Sequence, residues 1–134
     1  ACFFKEENGY SVIFPDLNHL ATCGETLDKA LAMAVDCLAG YLYTCEREGE
    51  KVPGPSSMDK ININKISKEL ELDSVDGFIN MVTVDVAEYT KTHFEKSVKK
   101  TLTIPAWLNQ AALEHNINFS QVLQDALKEQ LHLN

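Results

Sequence analysis

One short segment near the C-terminus alternates polar and apolar residues at a period of two. The polar positions of this repeat are Lys99, Thr101 and Thr103. Leu102 and Ile104 take the alternate, apolar positions. A two-residue period is typical of a strand with one solvated face and one buried face. The pattern therefore predicts a strand over residues 98–104.

Two short amphipathic helices are predicted after this strand. Pro105 cannot continue strand pairing and suits the first turn of a helix, whose apolar residues are Trp107, Leu108, Ala111, Ala112 and Leu113. Asn116 and Asn118 interrupt the pattern. Asn118 is also a favoured N-cap residue, and Gln121 three positions later completes the spacing of a capping box. The stripe of the second helix consists of Val122, Leu123, Ala126, Leu127 and Leu131.

One strand and two short helices cannot form a stable core by themselves, because the strand has two open edges and the helices need a surface to pack on. Dimerisation solves both problems if two copies of the strand pair antiparallel and four helices cover the ribbon. We therefore expect a homodimer or a higher homo-oligomer. An edge strand and helical hairpin of a monomer is the alternative.

This strand-helix-helix order resembles the ribbon-helix-helix family of DNA-binding dimers. In that family the outward side chains of the ribbon enter the major groove, and the N-terminus of the second helix holds a phosphate. The resemblance implies that Lys99, Thr101 and Thr103 face bases. It also implies that the phosphate is held by Asn118, Phe119 and Ser120.

The N-terminal half predicts a hairpin, a third strand and a long helix. Residues 1–5 and 10–14 are apolar enough for strands, and Asn8-Gly9 favours a tight turn with positive φ at both central positions. A third strand is expected within 17–23. Thr26 is the expected cap and Gly49 the expected end of the helix. Its stripe consists of Leu27, Leu31, Ala34, Val35, Leu38, Leu42 and Cys45.

The middle of the chain has a weaker pattern. Residues 50–57 contain two prolines and a glycine and predict an extended connection. A weak strand leading into a short helix is predicted over 59–72. The almost continuous apolar run at 78–86 predicts a central strand covered on both faces. The polar residues that follow predict a linker, so the expected domains are 1–88 and 98–134, joined by 89–97.

Charge separates the two halves. The chain of 134 residues has a net charge of −8. Residues 1–90 hold seven Lys or Arg against sixteen Asp or Glu, a net of −9, and residues 91–134 hold five against four, a net of +1. An acidic domain suits a basic protein partner. Acidic surface residues also keep proteins soluble, and this explanation accounts for the negative net charge equally well.

Membrane, secretory and zinc-binding classes are not indicated. The chain has no apolar run long enough to span a membrane and no secretory signal pattern, which predicts a cytoplasmic protein without a membrane partner. The four cysteines lack the paired spacing of a zinc site and are expected to stay reduced. No cofactor or metal is expected.

Three short motifs resemble the HicB antitoxin family. The second strand ends in Phe14, Pro15, Asp16 and Leu17. The long helix is entered through Gly24, Glu25, Thr26 and Leu27. The extended connection contains Pro53, Gly54, Pro55 and Ser56, with Gly54 where the family usually has an acidic residue. The resemblance covers nearly the whole chain, and 59–77 matches least.

The HicB resemblance implies an α+β protein. Its N-terminal domain is expected to be a partial ribonuclease H-like sheet with a long covering helix, joined to a C-terminal ribbon-helix-helix dimerisation domain. The implied function is that of a type II antitoxin. The first domain binds and blocks a small basic ribonuclease toxin, HicA, and the second holds operator DNA and represses the operon.

Two other functions are alternatives to the antitoxin. One is a stand-alone repressor whose N-terminal domain senses a small ligand in a pocket between the long helix and the sheet. The other is an RNA-processing nuclease, which needs carboxylates converging on two metal ions; the candidates are Asp16, Asp36 and Asp85. Asp36 is expected on the solvated side of the helix, Asp16 in a turn and Asp85 on a strand. His19 lies near Asp16 and Cys23 in the sequence, but a Cys-His nucleophilic pair also needs an orienting third group and an oxyanion site. We see neither, so we interpret His19 as a loop residue and expect no enzyme.

Overall fold

The computed structural model describes residues 1–72 and 76–133. The chain divides into two compact units, Ala1–Lys96 and Ser97–Asn134. The first unit is a mixed α/β unit built on one antiparallel sheet, and the second is helical.

Four antiparallel strands form the sheet of the first unit, in the order β3-β2-β1-β4. They are β1 (Cys2–Glu6), β2 (Gly9–Phe14), β3 (Leu20–Gly24) and β4 (Gly77–Ile79). Side chains alternate between the faces, so Val12 and Phe14 join one buried cluster and Ile13 joins another. This alternation and the third strand confirm the sequence predictions.

The hairpin between β1 and β2 differs from the predicted Asn-Gly turn. Glu6 pairs with Gly9, so Glu7 and Asn8 form the two-residue loop. Only Gly9 takes a positive φ, 143°, and Asn8 does not. A Cβ at Gly9 would collide with the carbonyl oxygen of Gly24 on the neighbouring strand, β3. The positive φ and the close backbone approach therefore both require glycine here.

A long helix, α1 (Leu27–Glu48), covers one face of the sheet. Its ends are those predicted: the Thr26 hydroxyl accepts from the Lys29 amide at 3.2 Å, and Gly49 ends the helix with φ of 70°. The predicted stripe omits two fully buried positions, Ala30 and Ala39. The small Ala30 and Ala34 bring the helix close to Phe3, Val12 and Phe14 of the sheet.

The opposite face of the sheet is covered by α2 (Ile63–Glu69). Asn62 caps this helix by accepting from the Lys65 amide at 3.0 Å, and Ile66 packs against Phe4 and Ile13. The short helix confirms one half of the prediction for 59–72. The weak strand is wrong, because a 3-10 turn, Met58–Lys60, precedes the helix instead.

The central strand predicted at 78–86 is wrong. β4 covers only Gly77–Ile79 and lies at the edge of the sheet, with Phe78 41% exposed and Met81 69% exposed. Beyond it, Val82 and Val84 turn half-buried side chains toward the core at a period of two, but this segment forms no strand ladder. This segment thus has the alternating apolar pattern of a strand but no neighbouring strand to pair with.

A helix that was not predicted, α3 (Val86–His93), follows this segment. It packs on α1, so most of the segment 89–97, predicted as a linker, is structured. Asp85, predicted on a strand, is the N-cap of α3 and accepts from the Glu88 amide at 3.1 Å. The helix was not predicted because its sequence is polar and because its few contacts are with residues distant along the chain.

The second unit contains α4 (Ala106–Glu114) and α5 (Phe119–Gln130), as predicted. Asn118 caps α5 by accepting from the Gln121 amide at 3.1 Å. The Gln121 side chain donates to Asp125 at 2.9 Å instead of completing the capping box. Residues 96–105 form no helix or strand within this single chain.

Candidate nucleic-acid and partner interfaces

The predicted base-reading residues all lie in an exposed segment. Lys99, Thr101 and Thr103 are exposed, as are Leu102 and Ile104 between them. A strand needs a neighbour to form its ladder, and none of the described residues pairs with this segment. The segment therefore has no strand partner among the described residues.

The predicted phosphate-binding residues form the start of α5. Asn118 uses its side-chain oxygen for the cap, and Phe119 and Ser120 are exposed in the first turn. The Ser120 hydroxyl accepts from Gln124 at 3.2 Å. The free amides of this first turn point out of the helix end, where an anion is favoured.

Unusually many large apolar side chains of the second unit are exposed. Trp107 is 72% exposed and Leu131 64% exposed, and neither helix buries a residue fully. The exposed set is Val98, Leu102, Ile104, Trp107, Leu108, Leu113, Ile117, Phe119, Val122, Leu127, Leu131 and Leu133. Large exposed apolar patches are typical of association sites in soluble proteins, so these residues are candidates for an interface.

Each of the three carboxylates considered for nuclease chemistry has a structural partner. Asp16 accepts two hydrogen bonds from Ser56, and Asp85 caps α3. Asp36, predicted on the solvated side, is half-buried because α3 packs there, and it accepts from the Tyr89 hydroxyl at 2.9 Å. The structure assigns these three carboxylates to three separate local contacts.

The Asp16 contact pins the connection after α1 to the end of β2. Its carboxylate accepts from the Ser56 amide at 2.7 Å and from the Ser56 hydroxyl at 2.6 Å. These bonds, the hydroxyl first, lower the pKa of Asp16 below its ordinary value of 3.8. The two ends of the contact are 40 residues apart and belong to two of the motifs identified in the sequence. Neither motif by itself revealed that they meet.

The remaining titratable groups show no metal-binding arrangement. Within residues 1–72 and 76–133, no three His, Cys, Asp or Glu side chains come together in a way that suits a metal ion. The four cysteines are free thiols, and burial raises the pKa of Cys2 and Cys37. His19 lies exposed in a turn with φ of 56°. Among the helices described, none has the length and apolar character that crossing a membrane requires.

The acidic charge of the chain belongs to the first unit. Residues 1–96 hold nine Lys or Arg and seventeen Asp or Glu, a net of −8, and residues 97–134 hold three of each. The ion pairs of this unit are exposed contacts along helices, such as Lys29 with Glu25 at 2.7 Å. Such pairs are screened by water, so the long-range field of the unit follows its net charge.

Known proteins similar to this chain are antitoxins. Residues 3–126 match a family described as the HicB-like antitoxin of bacterial toxin-antitoxin systems. Two curated relatives from Photorhabdus laumondii subsp. laumondii are Antitoxin HicB 1, 40% identical over 60 residues, and Antitoxin HicB 2, 36% identical over 55 residues. These matches cover 43% and 41% of this chain and only 39% and 40% of the relatives.

A solved structure extends the similarity over almost the full chain. A chain of a structure described as a toxin-antitoxin complex from Streptococcus pneumoniae is 34% identical, with a TM-score of 0.59. The match covers 97% of this chain and 95% of that chain. Because the family match spans most of the sequence, the chain belongs to the HicB-like antitoxin family of bacterial toxin-antitoxin systems.

Proposed function

We propose that this antitoxin works through two separate surfaces. The acidic first unit binds a HicA-type ribonuclease toxin, and two copies of the second unit form a ribbon-helix-helix dimer that binds operator DNA and represses the operon. The family supplies the antitoxin role, and the partial ribonuclease H-like fold of the first unit remains an expectation of the resemblance.

The exposed apolar surface of the second unit carries this proposal. Pairing two copies of residues 98–104 antiparallel satisfies their open backbone groups and turns Leu102 and Ile104 toward the four helices. The same pairing turns Lys99, Thr101 and Thr103 to the opposite, solvated face, which is the side that enters a major groove. The two N-termini of α5 then flank the ribbon, where they suit phosphates.

Neutralisation of the toxin in this proposal is steric and electrostatic rather than enzymatic. The net charge of −8 on residues 1–96 attracts a basic partner and speeds its association. The carboxylates that a nuclease would need are engaged in the Ser56, Tyr89 and cap contacts. A magnesium-dependent RNA cleavage assay on the purified chain is expected to show no activity, and activity abolished by Asp85→Asn would overturn this part of the proposal.

The two surfaces can be separated by one double variant. Lys99→Ala with Thr101→Ala removes two predicted base contacts from each chain, each worth roughly 1–3 kcal/mol of discrimination. We expect operator binding to weaken by at least about 100-fold, while inhibition of the toxin encoded in the adjacent reading frame is unchanged. Lys128→Ala is the matched control, because it removes the same charge from the last turn of α5, outside the ribbon segment.

The result that would contradict separate surfaces is a double variant that also fails to protect against the toxin. A Lys128→Ala variant that loses operator binding as severely would show that charge alone, not base reading, governs the interaction. The ligand-sensing repressor makes a different prediction: no small basic toxin is encoded beside this gene. Reading the adjacent frame therefore separates the two functions before any assay.

A further inference from the structure

The two outer strands of the sheet differ in how their outer edges are protected against pairing. β4 has three residues, and a strand this short offers few backbone groups to another chain. β3 has five residues, none of them charged and none a proline. It pairs with β2 residue for residue, without a bulge. β3 therefore has none of the sequence or register features by which edge strands commonly discourage pairing.

The hydrogen bonds of the sheet show which backbone groups of β3 point away from β2. In an antiparallel strand both backbone groups of a residue point to the same side, and successive residues alternate between the two sides. The Lys5 amide donates to the Asp76 carbonyl at 2.9 Å, so Lys5 points toward β4. Alternation followed through the register of β1, β2 and β3 then turns Thr22 toward β2 and turns Ala21 and Cys23 outward. Among the described residues, no strand lies on that outer side of β3.

A strip of small side chains accompanies this outer edge on one face of the sheet. Ala21 and Cys23 share the face with Ile13 and Ser11, their register partners in β2. The cluster beneath α2 includes Ile13, which is 5% exposed, whereas Ala21 and Cys23 are exposed. The Ala21 carbonyl accepts from the Cys37 thiol at 3.8 Å, and a carbonyl has a second lone pair for another donor. A strand added to β3 therefore lays every second side chain on this strip.

The charge beside β3 favours a basic strand. A Cβ at Gly9 would stand 3.0 Å from the Cα of Glu25, so the hairpin between β1 and β2 lies against the residue that follows β3. Segments 5–9 and 24–29 hold two lysines and four acidic residues, a net of −2, and the four form an acidic corner: Glu6, Glu7, Glu25 and Asp28. A second copy of the first unit carries the same net charge of −8, which opposes pairing of two β3 edges, whereas a basic chain is attracted.

We propose that the toxin binds by adding one of its strands to the outer edge of β3, with basic side chains at the acidic corner. Backbone hydrogen bonds to Ala21 and Cys23 supply affinity, and the strip of small side chains accommodates the side chains of the added strand. This assignment rests on the proposed function, which makes the first unit the toxin-binding unit. Toxin binding and the use of this edge are measured separately.

Amide hydrogen exchange on the unmodified full-length chain tests the edge directly, with and without the toxin encoded in the adjacent reading frame. In the free chain we expect the outward amides of Ala21 and Cys23 to exchange at close to unprotected rates, while the Thr22 amide, which points toward β2, is protected. Saturating toxin should slow exchange at Ala21 and Cys23 by at least about tenfold. Unchanged exchange at both amides in the complex would overturn the proposal. Protection of both amides already in the free chain would also overturn it, because the edge would then be occupied without toxin.

A proline variant tests the backbone contribution. Cys23→Pro removes one outward amide donor from β3, and Cys23→Ala is its matched control because it removes the thiol and keeps the amide. We expect the toxin dissociation constant to rise at least about tenfold in Cys23→Pro and to stay within about twofold of the unmodified value in Cys23→Ala. Equal toxin affinity of the two variants would refute the added strand. Urea unfolding checks that Cys23→Pro is folded, and the exchange experiment decides the proposal if it is not.

The acidic corner is tested by reversing one charge. Glu7 is exposed in the hairpin loop, and Glu46 is exposed about 30 Å along α1 from its first turn, so Glu46→Lys is a control with the same change in net charge. At low salt we expect toxin to associate at least about threefold more slowly with Glu7→Lys than with Glu46→Lys. Equal association rates would overturn a basic strand at this corner. An unmodified chain that binds no toxin would refute the proposed function, whereas toxin binding with unaltered exchange at Ala21 and Cys23 would refute the edge alone.

Discussion

The contact between Asp16 and Ser56 makes a quantitative prediction about stability. Ser56→Ala removes the hydroxyl donor and keeps the amide donor, so one of two hydrogen bonds to a carboxylate is lost. Hydrogen bonds to charged groups contribute about 1.5–3 kcal/mol, and solvent at this surface position reduces that to about 1 kcal/mol. We expect the free energy of unfolding to fall by that amount in Ser56→Ala and by about 1–2 kcal/mol in Asp16→Ala.

Urea unfolding followed by circular dichroism measures both variants, with Ser57→Ala as the neighbouring control. The expected loss corresponds to a lower midpoint by on the order of 0.5–1 M urea. Because the two residues act as a pair, Asp16→Ala with Ser56→Ala should cost no more than Asp16→Ala alone. Additive losses in the double variant would refute the contact as the cause.

The pH dependence of the same contact has a definite sign. Hydrogen bonds from Ser56 hold the pKa of Asp16 below its ordinary value of 3.8, so the folded state binds the proton less readily than the unfolded state. The stabilisation is fully present above about pH 4 and is lost as the pH falls through the lower folded pKa. The difference between the unmodified chain and Ser56→Ala should therefore shrink as the pH falls below about 4, and a difference that grows on acidification would contradict the assignment.

Two further predictions concern single positions in the fold. Gly9→Ala should lower the free energy of unfolding by at least about 2 kcal/mol in the same urea assay, because a φ of 143° is strained for other residues and the added Cβ meets the Gly24 carbonyl. Gly54→Ala is the control: its added Cβ meets nothing within 4 Å, and the variant should be neutral. Thr26→Ala and Asn118→Ala should each cost about 1 kcal/mol through loss of an N-cap, measured by thermal unfolding; no change in either would refute the cap assignment.

Local signals correctly predicted both ends of α1 and the start of α5. Thr26, Gly49 and Asn118 each act within four residues of their own position, so the sequence contains the whole interaction. Most of the stripe of α1, although not Ala30 or Ala39, and the alternation of β2 were also predictable, because a periodic pattern identifies the buried face without reference to what covers it.

Interactions between distant residues explain what the sequence did not predict. Asp36 and Tyr89 are 53 positions apart, so neither the burial of Asp36 nor the existence of α3 follows from local pattern. Residues 81–86 alternate like a strand because Val82 and Val84 pack on the core, yet a strand also needs a pairing partner that sequence periodicity does not supply. The roles of Lys99, Thr101 and Thr103 remain predictions for the same reason, since they depend on a second chain.

The association of two chains through residues 98–104 is the claim on which the proposed operator binding depends. Equilibrium sedimentation of the full-length chain at micromolar concentration tests it directly, beside Leu102→Lys, which places a charge on the buried side of the ribbon. We predict twice the mass of one chain for the unmodified protein and the mass of one chain for Leu102→Lys. A single-chain mass for the unmodified protein, or a dimer that survives Leu102→Lys unchanged, would contradict the account.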